Sequence, residues 1–404
     1  MKKRVCALIM TGMMLFSACG KNETEATGAM PAAEYPMSAG AAAEGFSAGH
    51  SAVMMDAAVE TSAGTAAEAM YTGSATGAVT TNQQQVKSGV LTAAVWNDLE
   101  NWDFFTGLVQ NQTISFPAYG IDPVRRVAVT VRDGNQNPVE NEPVVLKDVQ
   151  GAELWSTVTD AEGKAYLFYM DGEEAAKVSV CGESLDVSDE MEFVTEDAGN
   201  AGTGLQVMFI LDTTGSMGDE LNYLKKDFQA IVADVDGDNI LYSANFYRDQ
   251  GDDYVTKCNP FTDDTTLVQQ QFDAESADGG GDAPEAVAEI LEETMIQGAW
   301  KNGYRKIAFL IFDAPPHDGM EETLDKAVRA AAAKGIHVIP VVASNADRST
   351  ELFGRALAIC TNGEYVFLTD DSGVGDSHLE PIVGQYTVEA LHDIIVRLIK
   401  EYQP

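Results

Sequence analysis

Residues 207–217 read VMFILDTTGSM. The unbroken apolar run from Val207 to Leu211 is what a strand buried on both faces of a parallel sheet requires. It stops at Asp212, and a polar turn containing Gly215 follows. Leu221, Leu224, Phe228, Ile231, Val232 and Val235 then recur at helical spacing. A buried strand, a tight turn and an amphipathic helix make the opening unit of a doubly wound α/β sheet.

Toward the C-terminus the same grammar repeats. Residues 240–247, 304–312, 336–343 and 364–368 are apolar strand candidates, and the second of them ends at Asp313. Leu324, Val328 and Ala331 mark a helix after that strand. Leu391, Ile394, Ile395, Leu398, Ile399 and Tyr402 share one face of a last helix. Ligands of such sheets sit at the carboxyl ends of the strands, where Asp212 and Asp313 both fall. Asp212, Thr214 and Ser216 sit at alternate positions on one tight turn and can converge on a point, with Gly215 letting the backbone bend. Carboxylates and hydroxyls are hard oxygen donors that suit Mg²⁺, Ca²⁺ or Mn²⁺. A buried Asp at a strand end is costly unless a cation pairs with it. The competing role for Asp212 and Ser216 is to cap the following helix.

FILDTTGSMG (209–218), GGGDAPEA (279–286) and FDAPPH (312–317) together resemble a von Willebrand factor A domain over about residues 203–404. The resemblance implies a metal-ion-dependent adhesion site. Its first loop, D-x-[ST]-x-S, falls on Asp212, Thr214 and Ser216, and its third-loop acid on Asp313. Asp282 aligns with a Thr of the family's second loop. That departure adds negative charge and would tighten metal binding without an acid from a partner. Asp282-Ala283-Pro284-Glu285 also reads as a helix start, with Asp as N-cap and Pro in the first turn. Asp249, Asp370 and His317 lie on neighbouring loops of the same edge and are expected to flank the metal ligands. Asp371 and Asp376 read as solvated loop acids, and Asp234, Asp236 and Asp238 as a helix-to-strand turn.

Upstream, residues 86–200 are strand-like. Val127, Val129 and Val131 alternate, and turn signals recur about every ten residues, which suggests a β-sandwich. Residues 129–168 resemble carboxypeptidase-regulatory-like and Ig-like modules of bacterial surface proteins. Trp96, Trp102, Phe104, Phe105 and Phe116 are expected in the core rather than on a carbohydrate platform. Residues 19–85 contain no Leu or Ile after Cys19 and are rich in Ala, Gly, Ser and Thr, the composition of a flexible tether. Residues 1–18 begin with Lys2, Lys3 and Arg4, continue through an apolar stretch and lead into Cys19. This resembles a lipoprotein signal peptide whose Cys19 is acylated, anchoring the chain to a membrane in the cell envelope, facing outside the cytoplasm.

Asp and Glu number 63 against 25 Lys and Arg, a formal charge of −38. That balance argues against a nucleic-acid partner. It favours a self-repelling surface that takes up cations or meets basic partners. The function that the resemblance implies is cell-surface adhesion: a protein ligand would contribute a carboxylate to the bound Mg²⁺ or Ca²⁺, and the ion would bridge two acidic surfaces that otherwise repel. No catalytic role is expected. The alternatives are a serine hydrolase built on Ser216, Asp313 and His378 or His392, and a structural envelope protein without metal-dependent binding. Cys181, Cys258 and Cys360 read as small buried residues rather than a disulfide framework.

Overall fold

The computed structural model describes residues 90–404, except 117–118, 197–198, 200, 282 and 371–376. Cys19, the tether, Asp282, Asp371 and Asp376 therefore lie outside the described residues.

The described chain opens with β1 (Thr92–Trp96) and α1 (Trp102–Gln110). Short strands follow: β2 (Arg126–Asp133), β3 (Pro143–Asp148), β4 (Glu153–Val158), β5 (Lys164–Phe168), β6 (Ala175–Val180), β7 (Glu183–Asp186) and β8 (Glu190–Thr195). β2 to β8 form two small sheets, ordered β5-β2-β8 and β4-β3-β6-β7. Alternation works as the sequence suggests: Val127, Val129 and Val131 are buried while their neighbours on β2 are half-exposed. Val129, Val144, Leu146, Leu167 and Val178 share one apolar core.

The α/β part comprises β9 (Leu205–Asp212), α2 (Gly218–Val235), β10 (Ile240–Tyr247), β11 (Thr256–Lys257), α3 (Thr265–Ala274) and α4 (Val287–Leu291). It continues through β12 (Arg305–Phe312), α5 (Glu321–Lys334), β13 (Ile336–Val342), α6 (Arg348–Cys360), β14 (Tyr365–Thr369), β15 (Glu389–Ala390) and α7 (Leu391–Glu401). The large sheet is ordered β11-β10-β9-β12-β13-β14-β1-β15, with β10, β9, β12, β13 and β14 parallel. It is a mostly parallel, doubly wound α/β sheet. β9 sits in the middle with all of its residues buried. Val207, Phe209 and Leu211 face the helical layer of α2, α3 and α7. Met208 and Ile210 face the opposite layer, whose apolar cluster runs on into the core of the small sheets. Both faces of β9 need apolar side chains, which is why its sequence shows no alternation.

The stretch 86–200 is divided. β1 is not part of the small sheets: it pairs antiparallel with β14, from Thr92↔Thr369 to Trp96↔Tyr365. Strand character is local, but the choice of partner is made by contacts more than 250 residues away. A buried ion network secures the connection after β1. Arg355, fully buried, donates to Asp98 through Nε (2.8 Å) and Nη2 (2.7 Å), and to Glu351 through Nη1 (3.2 Å). The Trp96 indole N–H completes Asp98 at 2.9 Å. A buried guanidinium requires such bidentate pairing.

Three local expectations change. The helix expected to begin at Asp282 begins at Val287, with Ala286 as its N-cap. Glu285 instead bridges to Pro316, its N–H donating to the Pro315 carbonyl at 3.0 Å. Cys181 and Cys258 are exposed and only Cys360 is buried, with no bridge between Cys258 and Cys360. Among the aromatics, Trp96 and Phe105 are core, whereas Phe104 is 40 % exposed. Arg126 lies over the Trp102 ring at 4.1 Å, so that ring is covered by a cation. The turn at 236–239 links α2 to β10 as expected, with Asp236 and Asn239 in the left-handed region. Among the described residues no helix is long and apolar enough to cross a membrane.

Candidate metal centre

The parallel register fixes what meets at the carboxyl edge. β9 lies between β10 and β12, with Asp212 level with Tyr247 and Leu211 level with Ile311. The turns that follow these strands therefore open side by side. Thr213 pins the first turn to β10, its N–H and hydroxyl both donating to the Tyr247 carbonyl at 2.9 and 2.8 Å.

Asp212 is fully buried. Its Oδ1 accepts from the Thr214 N–H at 2.8 Å and the Thr214 hydroxyl at 2.6 Å. Its Oδ2 is buried and makes no hydrogen bond of ordinary geometry, the buried Tyr247 phenol being the polar group that interacts with this carboxylate. The Ser216 hydroxyl lies 3.5 Å from that of Thr214. Neither Asp212 nor Ser216 caps a helix: the turn Gly215–Met217 and helix α2 have Thr214 and Met217 at their caps, without side-chain bonds. Gly215 is in an ordinary left-of-zero φ rather than at a special bend. Its need for glycine is close approach, since a Cβ there would stand 3.2 Å from the Gly279 carbonyl oxygen.

Asp313 is 8 % exposed. Burial raises its pKa, the Ser216 hydroxyl offsets part of that rise, and the Glu220 charge adds to it. Burial also raises the pKa of Asp212, with the Asp313 charge as the next cause. The first and third loops thus bring together the Asp212, Thr214, Ser216 and Asp313 expected from the sequence.

Asp282 lies outside the described residues, and Glu285, three residues on, lines the cleft. Glu285 is 4 % exposed, and its Oε2 has no hydrogen-bond partner. Burial, then the charges of Asp212, Asp249, Asp313 and Asp252, push its pKa up to about 9. Gly280, at φ +70°, makes room for it: a Cβ there would stand 2.9 Å from Glu285 Oε1 and 3.1 Å from Thr214 Cβ. The helix-start pattern drew the sequence reading past Glu285. The signal that could have found it is its place three residues after Asp282, directly after the glycine loop.

Of the flanking residues, Asp249 is buried and its Oδ1 lies 2.6 Å from His317 Nε2. Asp252 Oδ2 accepts from the N–H groups of Asp249 (3.1 Å) and Gly280 (2.8 Å), tying the loop after β10 to the glycine loop. Asp370 turns elsewhere: its Oδ1 lies 2.7 Å from His378 Nδ1, and its side chain is 64 % exposed. His392 lies between Asp227 and Asp234. Among the described residues no hydrogen bond joins His378 or His392 to Ser216 or Asp313, so the serine triad is not assembled.

Among the described residues no group of three or more His, Cys, Asp or Glu side chains stands close enough to hold a metal ion, so an ion here would need hydroxyl oxygens beside the carboxylates. Two buried carboxylates each keep an oxygen that makes no hydrogen bond of ordinary geometry, and a third carboxylate and two hydroxyls stand beside them in a cleft of about 450 Å³. Tyr247 adds a fully buried phenol whose pKa burial, Asp212, Asp313 and Glu285 hold well above its ordinary value. Arg248, the nearest guanidinium on β10's turn, is engaged over the Tyr254 ring (4.7 Å) and with the Ser276 carbonyl (2.7 Å). Like charges in a desolvated cleft repel strongly unless a cation or protons balance them. A hard ion would be held by Asp212, Thr214, Ser216, Asp313 and Glu285, and would supply an electrophilic point of attachment for an oxygen ligand.

A conserved hypothetical protein BatB from Bacteroides thetaiotaomicron is 19 % identical, covering 49 % of this chain and 98 % of its own, at a TM-score of 0.35. An ariadne-like RING finger protein of Acanthamoeba polyphaga mimivirus is 26 % identical over 207 residues, 46 % of this chain. The chain spans about a fifth of that relative's length. The family model described as von Willebrand factor A domain matches residues 206–375, from β9 to beyond β14, and the chain therefore carries a von Willebrand factor A domain there.

Proposed function

We propose that the chain is a divalent-cation-dependent protein-binding module. The observation that carries this reading is the pair of buried carboxylate oxygens on Asp212 and Glu285 that make no hydrogen bond of ordinary geometry, beside Thr214, Ser216 and Asp313. Asp212, Thr214, Ser216, Asp313 and Glu285 would hold Mg²⁺ or Ca²⁺, which would supply an attachment point for an oxygen of a protein partner, expected as a carboxylate. The ion then bridges two acidic surfaces that would otherwise repel. The basic start, apolar stretch and Cys19 support placement on a membrane of the cell envelope through a lipid anchor, with residues 20–85 as the tether. No catalytic role is proposed, since Ser216 has no imidazole partner in the described residues.

The test is capture of cell-surface proteins on the immobilised full chain. Binding that needs Mg²⁺ or Ca²⁺, is reversed by a chelator and is lost in Asp212→Ala supports the reading. Capture that is indifferent to chelator, with Asp212→Ala still folded and still binding, overturns it.

A further inference from the structure

A second cleft, of about 390 Å³, lies at the opposite end of the large sheet, where the loops of the small sheets meet the beginnings of β12, β13 and β14. It shares no lining residue with the metal cleft. His337, Tyr402, Glu364, Asp160 and Tyr166 decide its chemistry.

His337 Nδ1 lies 2.5 Å from the Asn362 carbonyl oxygen. A carbonyl only accepts, so Nδ1 carries the proton. Burial disfavours the charged form of this ring, and with Nδ1–H on the carbonyl the acceptor nitrogen of a neutral imidazole is Nε2. The Tyr402 hydroxyl donates to Glu364 Oε2 at 3.1 Å, and its ring packs on His337 with centroids 4.9 Å apart. Asp160 is fixed by Asn362 Nδ2 at 3.0 Å and by the N–H groups of Glu162 and Lys164, both at 2.9 Å. The two cationic side chains of the wall are already engaged. Lys164 pairs with Glu162 at 2.6 Å, and Arg305 with Glu140 at 2.7 Å. The wall therefore offers held acceptors, excess negative charge and π faces, with its two cations turned toward Glu162 and Glu140.

We propose that this cleft binds an organic cation carrying primary ammonium groups, its N–H donors meeting Glu364, Asp160 and His337 Nε2 and its methylenes lying on Tyr402 and Tyr166. Ammonium supplies donors and no acceptor, the complement of this wall, and aromatic faces attract it. The cleft is far larger than a metal ion needs, and it suits a linear amine. The same chemistry is carried by a free polyamine and by the lysine side chain of a protein. This inference is independent of the metal reading, whose residues lie at the other edge of the sheet.

Calorimetric titration of the full chain with spermidine, and separately with an N-acetylated lysine amide, tests it. One saturable site is expected. Glu364→Gln, which keeps an acceptor for Tyr402, and Asp160→Asn should each weaken it about tenfold or more, the usual cost of losing a charged hydrogen-bond partner. Asp186→Asn, a fully solvated acid on β7, should change it less than about twofold, since distant charges are screened. Tyr166→Ala gives an independent variant should Glu364→Gln fold poorly. Spermidine binding alone supports a free polyamine, and comparable binding of the lysine amide supports a basic partner. No saturable heat, or equal weakening by Glu364→Gln and Asp186→Asn, would overturn the proposal by reducing it to counterion uptake on an acidic surface.

Discussion

Asp212 and Glu285 arrive from different loops, are both buried, and each carries a carboxylate oxygen that makes no hydrogen bond of ordinary geometry, while the charge of one raises the pKa of the other. Two such groups are stable together only if protons or a cation share the site. That balance links metal binding, pH and stability in one place.

Glu285→Gln is expected to stabilise the metal-free protein in alkaline solution. Burial, then Asp212, places the folded pKa of Glu285 at about 9, above its ordinary 4.5. The folded state therefore holds a proton that the unfolded state releases, and stability falls as pH rises between those values. The variant removes that slope and should gain about 1–3 kcal/mol near pH 9 in chelator. The same variant should weaken Mg²⁺ binding about 10-fold or more, because an anionic ligand becomes neutral. Melting curves with chelator at pH 5 and pH 9 check the first effect, and calorimetry checks the second. A variant less stable than the parent at pH 9 would contradict it.

Gly280→Ala should damage the centre without touching a ligand. The residue sits at φ +70°, and its new Cβ would press on Glu285 Oε1 and Thr214 Cβ. A loss of about 1–3 kcal/mol is expected from strain alone. Metal affinity should fall with it. Unchanged stability and affinity would mean that the glycine loop does not hold Glu285 in place.

The Asp98–Arg355 pair should dominate the stability of the β1 connection. Asp98→Ala leaves a fully buried guanidinium without its bidentate partner. About 3–5 kcal/mol should be lost, as for other broken buried pairs. Urea unfolding measures it. A double variant with Arg355→Met should recover much of the loss, since removing both charges restores an apolar fit.

His392 should pin α7 to α2 in a pH-dependent way. Burial opposes its charge, but hydrogen bonds to Asp227 at 2.9 Å and Asp234 at 3.0 Å outweigh burial and raise its pKa above 6.5. Its contribution is present below pH 6.5 and fades as pH rises through the folded pKa. His392→Ala should therefore cost about 1 kcal/mol at pH 6 and less at pH 9, a modest figure because Asp234 is 65 % exposed. An equal loss at both pH values would assign the residue to packing alone.

Much of the α/β architecture was legible because its strands are buried on both faces. The run 240–247 was read with the bounds it has, and 205–212 differed only at its ends. Asp212, Thr214, Ser216 and Asp313 were legible for a related reason: hard donors at the carboxyl ends of neighbouring parallel strands have one edge to share. β1 was misplaced because its short, mixed sequence says nothing of a partner at 365–369. Helix α6 was passed over because it is buried all round from Thr350 to Cys360, with Glu351 and Arg355 paired inside the protein, so its polar residues do not mark a solvent face. Glu285 was missed because propensity favoured a helix start at Asp282, whereas tertiary pairing with Pro315 and Pro316 held that segment extended.

The central claim is that oxygens from separate turns hold one divalent ion, and a calorimetric titration of Mg²⁺ and Mn²⁺ into the chelator-treated full chain tests it most directly. One ion per chain is expected, with binding abolished in Asp212→Asn and in Asp313→Asn and weakened in Ser216→Ala, while all three variants remain folded. Absence of stoichiometric binding to the parent chain, or binding that survives both aspartate substitutions, would contradict the account.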